Sequence, residues 1–553
     1  MPSPCWSARW PHGGLMVSEQ DWISTPRIAL DYRGPTDRPF QPFGDPSQAV
    51  PIIERLQSVA RRRAGAVAVV DDEGSLTFAH LMQSVMRLAD AIELHQPSPS
   101  NVAILLPTGR AYVVAVYACL AAGRVAVLLD ASFPQARNAA IAAATGVTLV
   151  LTQAGCDFIA APGSMALAVD LSAGIGAATA SATAGHIRQP LQLDAPAFIL
   201  CTSGSSGLPK AIVHSQRTML HLARTAHDAL HVDENDRVMP LSSLSSLGGI
   251  TPLLSYPLGG ASLHLIDLKA RGLGEMLGDL TEHPITILRA APSTLRGLAR
   301  LPESATAFSR LRIVQTYGES LTRMDLRSLR AVISPQCYVR STYGSTEASG
   351  MSWFADESDA HDPIRLPTGA LMPDTAAVIV DPNGAACARG EIGELVVRSR
   401  YNSLGEFVDG RLVAGRLQPD PIDPARRIYH TGDLARCDRD GVFVVLGRCD
   451  RMAKINGQRV EPAEIENVLR RHPSVDKAEV LALTRKSGTM LTAFVVAIAG
   501  RASGLERTLR DELRRSLPSF MVPSRVVLLE TMPLLPGGKI DAQALRALAG
   551  ELE

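Results

Sequence analysis

Residues 199–214 read ILCTSGSSGLPKAIVH. An apolar run gives way to a loop of hydroxyl side chains and two glycines, Gly204 and Gly207, closed by Lys210. A loop of this kind leaving the carboxyl end of a strand lets successive backbone N–H groups converge on an anion, and that end is where open α/β sheets place ligands. The spacing is not that of the nucleotide loop GxxxxGK[ST], because Pro209 precedes the lysine. Taken alone, the stretch reads equally well as a flexible Gly/Ser surface turn.

Its surroundings extend the strand reading. From Ser75 the chain alternates SLTFAHLMQSVMRLADAIEL, apolar at helical spacing, with the strand-sized NVAILLP, the helical RAYVVAVYACLAAG ending at Gly123, the strand RVAVLLD and a further helix through Ala144. Strands apolar on both faces and separated by such helices predict an α/β fold with mostly parallel sheets covered on both sides. Residues 159–190, rich in Ala, Gly, Ser and Thr, read as a surface excursion between two sheet units. After about residue 370 the short runs AAVIVD, GELVVRS and GVFVVLGR, set off by DPNG and DRDG, predict a β-rich subdomain. Beyond RCDR (448–451), EPAEIENVLRRHP reads as a capped amphipathic helix, AEVLALTR and LTAFVVAI as strands, and LERTLRDELRRSLP as another helix, together a small α+β unit. The expected division is a leader at 1–48, a large domain at 49–448 with its β-rich part at about 370–448, and a small mobile domain at 449–553.

Composition sets outer bounds. A chain of 553 residues is too long for one core, and 46% hydrophobic with 20% charged residues is a globular balance. Basic and acidic residues both total 55, so no net field favours nucleic acid or an anionic membrane, and any anion must be met locally. The basic residues are unequal: lysine stands only at 210, 269, 454, 477, 486 and 539, and the rest are arginine. Eight cysteines lie scattered without a CxxC pair or zinc-ligand spacing, the pattern of reduced cytoplasmic thiols. No apolar run approaches a membrane span, and MPSPCWSARWPHGGLMVSEQ lacks a signal-peptide core; it reads as a floppy leader or a start at Met16.

Four separated stretches, ILCTSGSSGLPKAIVHS (199–215), STYGSTEAS (341–349), YHTGDLARCDRDGVFVVLGRCDRMAKINGQRVEPAEIENVL (429–469) and PLLPGGKID (533–541), resemble in order and spacing the signature motifs of the acyl-adenylate-forming superfamily. Acyl-CoA synthetases, adenylation domains of nonribosomal peptide synthetases and luciferases belong to it. SLTFAHL, CLAAGRVAVLLD, GEIGELVVRS and LPSFMVP are weaker matches, and the resemblance covers roughly residues 50–548. It implies ATP and Mg2+ and activation of a small carboxylic acid by attack on the α-phosphorus, a reaction that needs positioned cations and N–H donors more than a base.

The same resemblance assigns roles. Thr202, Ser203, Gly204, Ser205, Ser206, Gly207 and Lys210 would close over the β and γ phosphates. Tyr343 and Gly344 would bound the adenine, Thr346 the α-phosphate, and Glu347 would ligate magnesium, a hard carboxylate for a hard cation. Asp433 would accept the ribose hydroxyls, against a plain turn cap as the bland alternative, and Arg448 would reach the ribose and phosphate side. Asp450 would be the hinge of the small domain, Lys454 and Gly457 would serve the second half-reaction, and Lys539 would bridge substrate carboxylate and α-phosphate. Three of the six lysines thus fall on motif positions, where a compact ammonium suits a crowded phosphoryl centre.

Departures from the family pattern at Ser206, Ala211 and Ser345 change little in charge or donor count. The acyl pocket departs more. Alignment lines it with Leu247, Gly248, Thr251, Arg289, Gln315, Tyr317, Thr342, Gly350 and Met351, and puts Leu247 where amino-acid-activating domains carry an aspartate for the substrate ammonium. Burying an ammonium without a partner is costly, so an ordinary α-amino acid is disfavoured. Arg289 implies a second acidic or strongly polar group on the substrate, such as a dicarboxylate, hydroxyacid or substituted aryl acid; the bland alternative is one more arginine in an arginine-rich chain. LPSFMVP and LPGGKID look more like peptide-synthetase adenylation domains than fatty acyl ligases. The chain ends shortly after Lys539, so the acceptor (a carrier-protein phosphopantetheine, CoA or an amine) is expected from outside, with secondary metabolism as the setting and neither nucleic acid nor membrane as a partner. Acyl-CoA ligases and amide-forming synthetases share these motifs. A non-catalytic nucleotide-binding module is the remaining alternative, opposed by intact Glu347, Asp433 and Lys539.

Overall fold

A computed structural model of the chain describes residues 15–24, 28–44, 50–98, 100–156, 158, 164–171, 192–202, 209–359, 365–449, 452–485, 488–498, 504–533 and 540–551. Ser203, Gly204, Ser205, Ser206, Gly207, Asp450 and Lys539 lie outside the described residues.

The helix Phe78–His95 buries Phe78, Leu81, Val85, Leu88, Ala89 and Ile92 at three- and four-residue spacing, and Thr77 caps it by accepting from the His80 N–H at 3.2 Å. Arg110–Ala121 is apolar around nearly its whole circumference and buried accordingly. Its start is pinned by Asp71, whose two oxygens accept from the Arg110 backbone N–H at 2.8 Å and Nε at 2.6 Å. These helices share one core with strands from two large sheets, so two parallel sheets are held back to back across them.

The first sheet runs Ala370–Leu371, Ser349–Phe354, Tyr338–Gly344, Ile313–Thr316, Ile287–Ala290, Arg237–Pro240, Ser262–His264, Val67–Asp71, Gly74–Thr77. Its six middle strands are parallel and both margins antiparallel. The second runs Arg411–Val413, Gly405–Val408, Lys210–Ser215, Pro196–Thr202, Val125–Leu128, Asn101–Leu105, Leu149–Thr152, Met165–Ala168, parallel from Pro196–Thr202 onward. The anticipated α/β alternation is therefore observed. Two details differ: residues 75–77 of the expected helix form the end of a strand, and residues 165–168 of the expected surface excursion add an edge strand.

The runs after residue 370 form an antiparallel sheet of Thr375–Val380, Gly393–Ser399, Arg427–Cys437, Leu417–Pro419 and Phe443–Arg448. Part of the expected leader is strapped to it. Ile23 bridges Ala377, Trp22 is buried under the Arg398 guanidinium, and Glu19 accepts from Arg398 at 2.6 and 2.7 Å. Toward the C-terminus, Val475–Arg485, Gly488–Ala497 and Arg525–Leu529 form a small sheet. The helices Pro462–Arg470 and Leu505–Ser516 share a core with one face of it, and Ala542–Glu551 packs on the other. The helix at 462 starts on proline without a side-chain cap, because the Glu461 carboxylate turns to Arg459 instead. Among the described residues no helix is long and apolar enough to cross a membrane.

His214, His221, His227 and His264 are buried, and burial pushes their pKa values down to about 4, 3, 4 and 4. Unfolded histidine titrates near 6.5, so in acid the unfolded chain binds protons that the native state refuses. Stability is fully present above about pH 6.5 and is lost as pH falls toward 4, at ~1.4 kcal/mol per pH unit for each histidine inside that window. Thermal melts should fall steadily between about pH 6.5 and 5. His221→Phe, which preserves the stack on Tyr401 at 3.7 Å, should flatten that slope by about one proton.

Candidate active site

Parallel strands of both large sheets end at one cleft. Val125–Leu128 and Pro196–Thr202 reach it from one side, and Arg237–Pro240, Ile287–Ala290, Ile313–Thr316 and Tyr338–Gly344 from the other. The cleft is a cavity of about 900 Å³, large enough for a nucleotide beside a small acid.

Tyr343, Gly344 and Thr346 form one wall. The Tyr343 hydroxyl donates to Asp433 Oδ2, and burial pushes this phenol well up. Arg448 Nη1 donates to Asp433 Oδ1 at 2.8 Å and to the Thr431 carbonyl at 2.7 Å. Antiparallel pairing of Arg427–Cys437 with Phe443–Arg448 puts Asp433 opposite Arg448, which brings two separate sequence motifs together. Asp433 stands behind Tyr343 rather than on the wall, and its carboxylate retains lone pairs for incoming hydroxyls.

Glu347 is 3% exposed. Its Oε1 accepts from Arg459 Nη1 at 2.7 Å, while Oε2 is buried without a hydrogen-bond partner. Burial opposes ionisation here, yet the Arg459 guanidinium holds the carboxyl below its ordinary range. An ionised, half-satisfied carboxylate fits a hard cation. Among the described residues no group of three or more His, Cys, Asp or Glu side chains is arranged for a metal, so an ion at Glu347 would share its coordination with phosphate and water.

Thr202 reaches the cavity, its Oγ1 buried and without a partner. Lys210 does not: its Nζ lies 3.5 Å from Glu406 Oε1, and the side chain is not part of the cavity wall. Gly405–Val408 pairs directly with Lys210–Ser215, so a carboxylate far away in sequence claims this lysine.

Leu247, Gly248, Thr251, Arg289, Gln315, Tyr317 and Thr342 all line the same cavity. Leu247 opens the helix Leu247–Ser255, capped by Ser246 through the Gly249 N–H at 3.3 Å. A Cβ at Gly248 would stand 2.9 Å from Tyr317 Cε2, so glycine is what lets that ring lie against the helix. Gly350 and Met351 correct the expected pocket. They are not on its wall, because pairing of Met351 with Tyr343 turns the methionine into the core of the β-rich sheet, fully buried.

A hairpin closes the cavity. Ala453–Ile455 and Gln458–Val460 are joined by Asn456 and Gly457, both at positive φ (49° and 76°), the two-residue turn that suits Asn-Gly. Lys454 Nζ lies 3.4 Å from the Gly344 carbonyl, and burial pushes its ammonium pKa down. The Gly457 N–H donates to Glu319 Oε1 at 2.8 Å, and Glu319 also accepts from the Ser293 N–H at 3.1 Å. Gly318 (φ +81°) has room for no side chain: a Cβ would sit 2.9 Å from Gly457 Cα. Gly318, Glu319 and Arg459 are site residues that motif reading does not single out; TYGES (316–320) beside a strand end is the available signal. Gly318→Ala should force the hairpin off its seat, and amide hydrogen exchange over residues 453–460 should quicken at least about tenfold, equivalent to ~1.4 kcal/mol of local opening.

The AMP-binding enzyme family matches residues 56–405, and the AMP-binding enzyme C-terminal domain matches residues 464–539. One of the plipastatin synthase subunits of Bacillus subtilis (strain 168) is 30% identical over 484 residues, which is 86% of this chain and 18% of that protein. The chain therefore spans less than a fifth of the length of that relative. Holo-PA1221, a nonribosomal peptide synthetase protein containing adenylation and PCP domains, superposes with a TM-score of 0.76 at 24% identity, covering 92% of this chain and 85% of that one. o-Succinylbenzoate CoA synthetase (MenE) from Bacillus subtilis gives 0.75 at 23%, covering 90% and 98%.

Proposed function

The chain belongs to the AMP-binding enzyme family, and from that premise we propose that it activates a carboxylic acid with ATP and passes the acyl group to an external thiol. In the first step a carboxylate oxygen of the acid bonds to the α-phosphorus, the bond to the β-phosphate oxygen breaks, and pyrophosphate leaves. In the second a thiolate sulfur bonds to the acyl carbon and AMP leaves.

The observation that carries this reading is the convergence of Thr202, Tyr343, Thr346, Arg448 and Lys454 on one cavity, with Glu347 and Asp433 directly behind it. Tyr343 and Gly344 offer a face for the base, Asp433 acceptors for ribose hydroxyls, and Arg448 a guanidinium for the phosphate side. Glu347 is the residue that would hold Mg2+, which when bound neutralises polyphosphate charge and polarises the phosphorus under attack. Lys539, from the PGGKID motif, is assigned to the α-phosphate by resemblance. We read residues 49–448 and 449–553 as two parts that move relative to each other about Asp450.

The hairpin geometry supports a second-step arrangement. With Arg459 on Glu347 and Lys454 beside Gly344, the site carries two cations where pyrophosphate and its metal would have left. The cavity lining also includes Phe133 and Phe520, whose rings pack tilted against each other with centroids 6.1 Å apart.

ATP–pyrophosphate exchange over a panel of amino, aryl and dicarboxylic acids tests the activity. Glu347→Gln should lower the exchange rate about 100-fold, Asp433→Asn should raise KM for ATP about 10–100-fold, and Lys539→Ala should abolish exchange. Exchange with no acid at all would overturn adenylation. Gly318→Ala, which obstructs only the docked hairpin, should leave exchange intact and slow transfer to the thiol about tenfold or more.

A further inference from the structure

Arg289, Gln315 and Arg340 stand in register on three adjacent parallel strands. Residues paired this way project from the same face of a sheet, so the three form one row, and all three line the cavity. They are 4%, 2% and 1% exposed. The row is an unusual thing to bury. Arg289 Nε and Nη1 and Arg340 Nε make no hydrogen bond, and among the described residues neither guanidinium has a carboxylate within ion-pair distance. What surrounds Arg289 is aromatic: its guanidinium lies 5.6 Å from the Tyr317 ring and 6.0 Å from the Tyr256 ring. Among the described residues Arg340 has a single neutral acceptor, Ser352 Oγ at 3.0 Å. The Tyr256 hydroxyl points along the same row to Gln315 Oε1 at 3.4 Å.

Three other arginines withdrawn from solvent have carboxylate partners, while Arg124 is met by the Ala122 and Gln96 carbonyls. Arg110 has Asp71, Arg312 has Asp236, and Arg398 has Glu19 and Asp420. A charge taken from water without a partner costs several kcal/mol. Two such charges side by side also repel, and burial together with the neighbouring Arg289 pushes the Arg340 pKa down to about 10. An arrangement that costs the empty protein this much is offset when an anion enters. Asp236, a buried carboxylate just before the strand Arg237–Pro240, is already committed to Arg312 at 2.7 Å.

We propose that the acid activated at this site is a dicarboxylate, whose second carboxylate is held by Arg289 at the end of the pocket away from the nucleotide, with Arg340 behind it, Gln315 completing its hydrogen bonds and Tyr256 holding Gln315 in place. This deepens the acyl-adenylation reading and rests on it for the fate of the first carboxylate. A planar guanidinium with two free N–H edges matches a carboxylate bidentately. The aromatic wall of Tyr317 accommodates a short aliphatic or aryl spacer between the two acid groups, and Tyr256 stands behind the wall with its hydroxyl on Gln315. Leu247 fits the same assignment, because the helix that opens the pocket presents no carboxylate to repel the second anion.

The test uses the full chain with glutarate, adipate and isophthalate, each against the monoacid in which one carboxylate is replaced by methyl. Two readouts run in parallel: ATP–pyrophosphate exchange, and direct binding of each acid by calorimetry. Wild type should prefer at least one diacid over its monoacid by about 100-fold in kcat/KM, the scale of one charge-assisted bidentate contact. Arg289→Met should erase that preference, lowering diacid kcat/KM by about 100-fold and far more than monoacid kcat/KM, and Arg289→Lys should retain part of it. The ligand-free melting temperature of Arg289→Met should stay level or rise, since a buried unpaired charge is removed; a large fall would mark Arg289 as a structural residue and overturn the proposal. Exchange confined to monoacids, or a substrate ranking unmoved by Arg289→Met, would also overturn it while adenylation stands. Arg289-dependent diacid binding without exchange would uphold the dicarboxylate and overturn adenylation. No diacid binding in wild type would overturn the dicarboxylate whatever the exchange assay reads.

Discussion

The in-register parallel pairing of Ile287–Ala290, Ile313–Thr316 and Tyr338–Gly344 decides what the cavity contains. Side chains alternate faces along a strand, so a shift of one residue would exchange every group on the pocket side for its neighbour. In the register adopted, Arg289, Gln315 and Arg340 share the pocket face, and the last residues of Tyr338–Gly344 together with Tyr317, just past Thr316, bring Thr342, Tyr343 and Tyr317 to the cavity rim. The register is secured by the faces themselves. Ile287 and Ile313 enter the core between the two large sheets, while Leu288, Val314 and Val339 enter the separate core on the opposite face. Burying a side chain of this size contributes ~1.5–3 kcal/mol, so several such residues on both faces outweigh the cost of holding two arginines in the same row.

Much of this is legible in the chain. The alternation of helical and strand-sized runs specifies the parallel sheets, since a strand apolar on both faces must be covered on both. The YGSTE, HTGD and GRCD motifs name the residues that meet at Asp433. What stays hidden depends on partners distant in sequence. Nothing local to Lys210 announces Glu406, and nothing in EPAEIE shows that Glu461 leaves the helix cap for Arg459. Arg340 sits inside a strand that reads as ordinary core; its missing counter-charge is a property of the assembled site. Motif alignment misplaces Met351 because it gives a position along the chain and not a face of the strand. The edge strand at 165–168 escapes because it is almost wholly exposed and carries no burial pattern.

Glu347 links the two halves of the proposed cycle. A carboxylate this buried needs a cation: Arg459 of the hairpin supplies one at Oε1, and on the proposed reading a metal brought in with the nucleotide would meet Oε2. Its Oε1 lies at 2.7 Å from Arg459, and the same guanidinium is steadied from behind by Glu461 at 2.9 Å. Removing one partner of a buried pair costs about 3–5 kcal/mol, so loss of Arg459 alone would leave Glu347 a buried, uncompensated charge. Glu319 does for the backbone what Glu347 does for the charge, since it gathers Ser293 and Gly457 on one carboxylate. The close approach of Gly318 to Gly457 then sets how deeply Lys454 enters. On the proposed reading, the hairpin and the metal thus meet at a single carboxylate, which ties the position of the hairpin to the state of the nucleotide site.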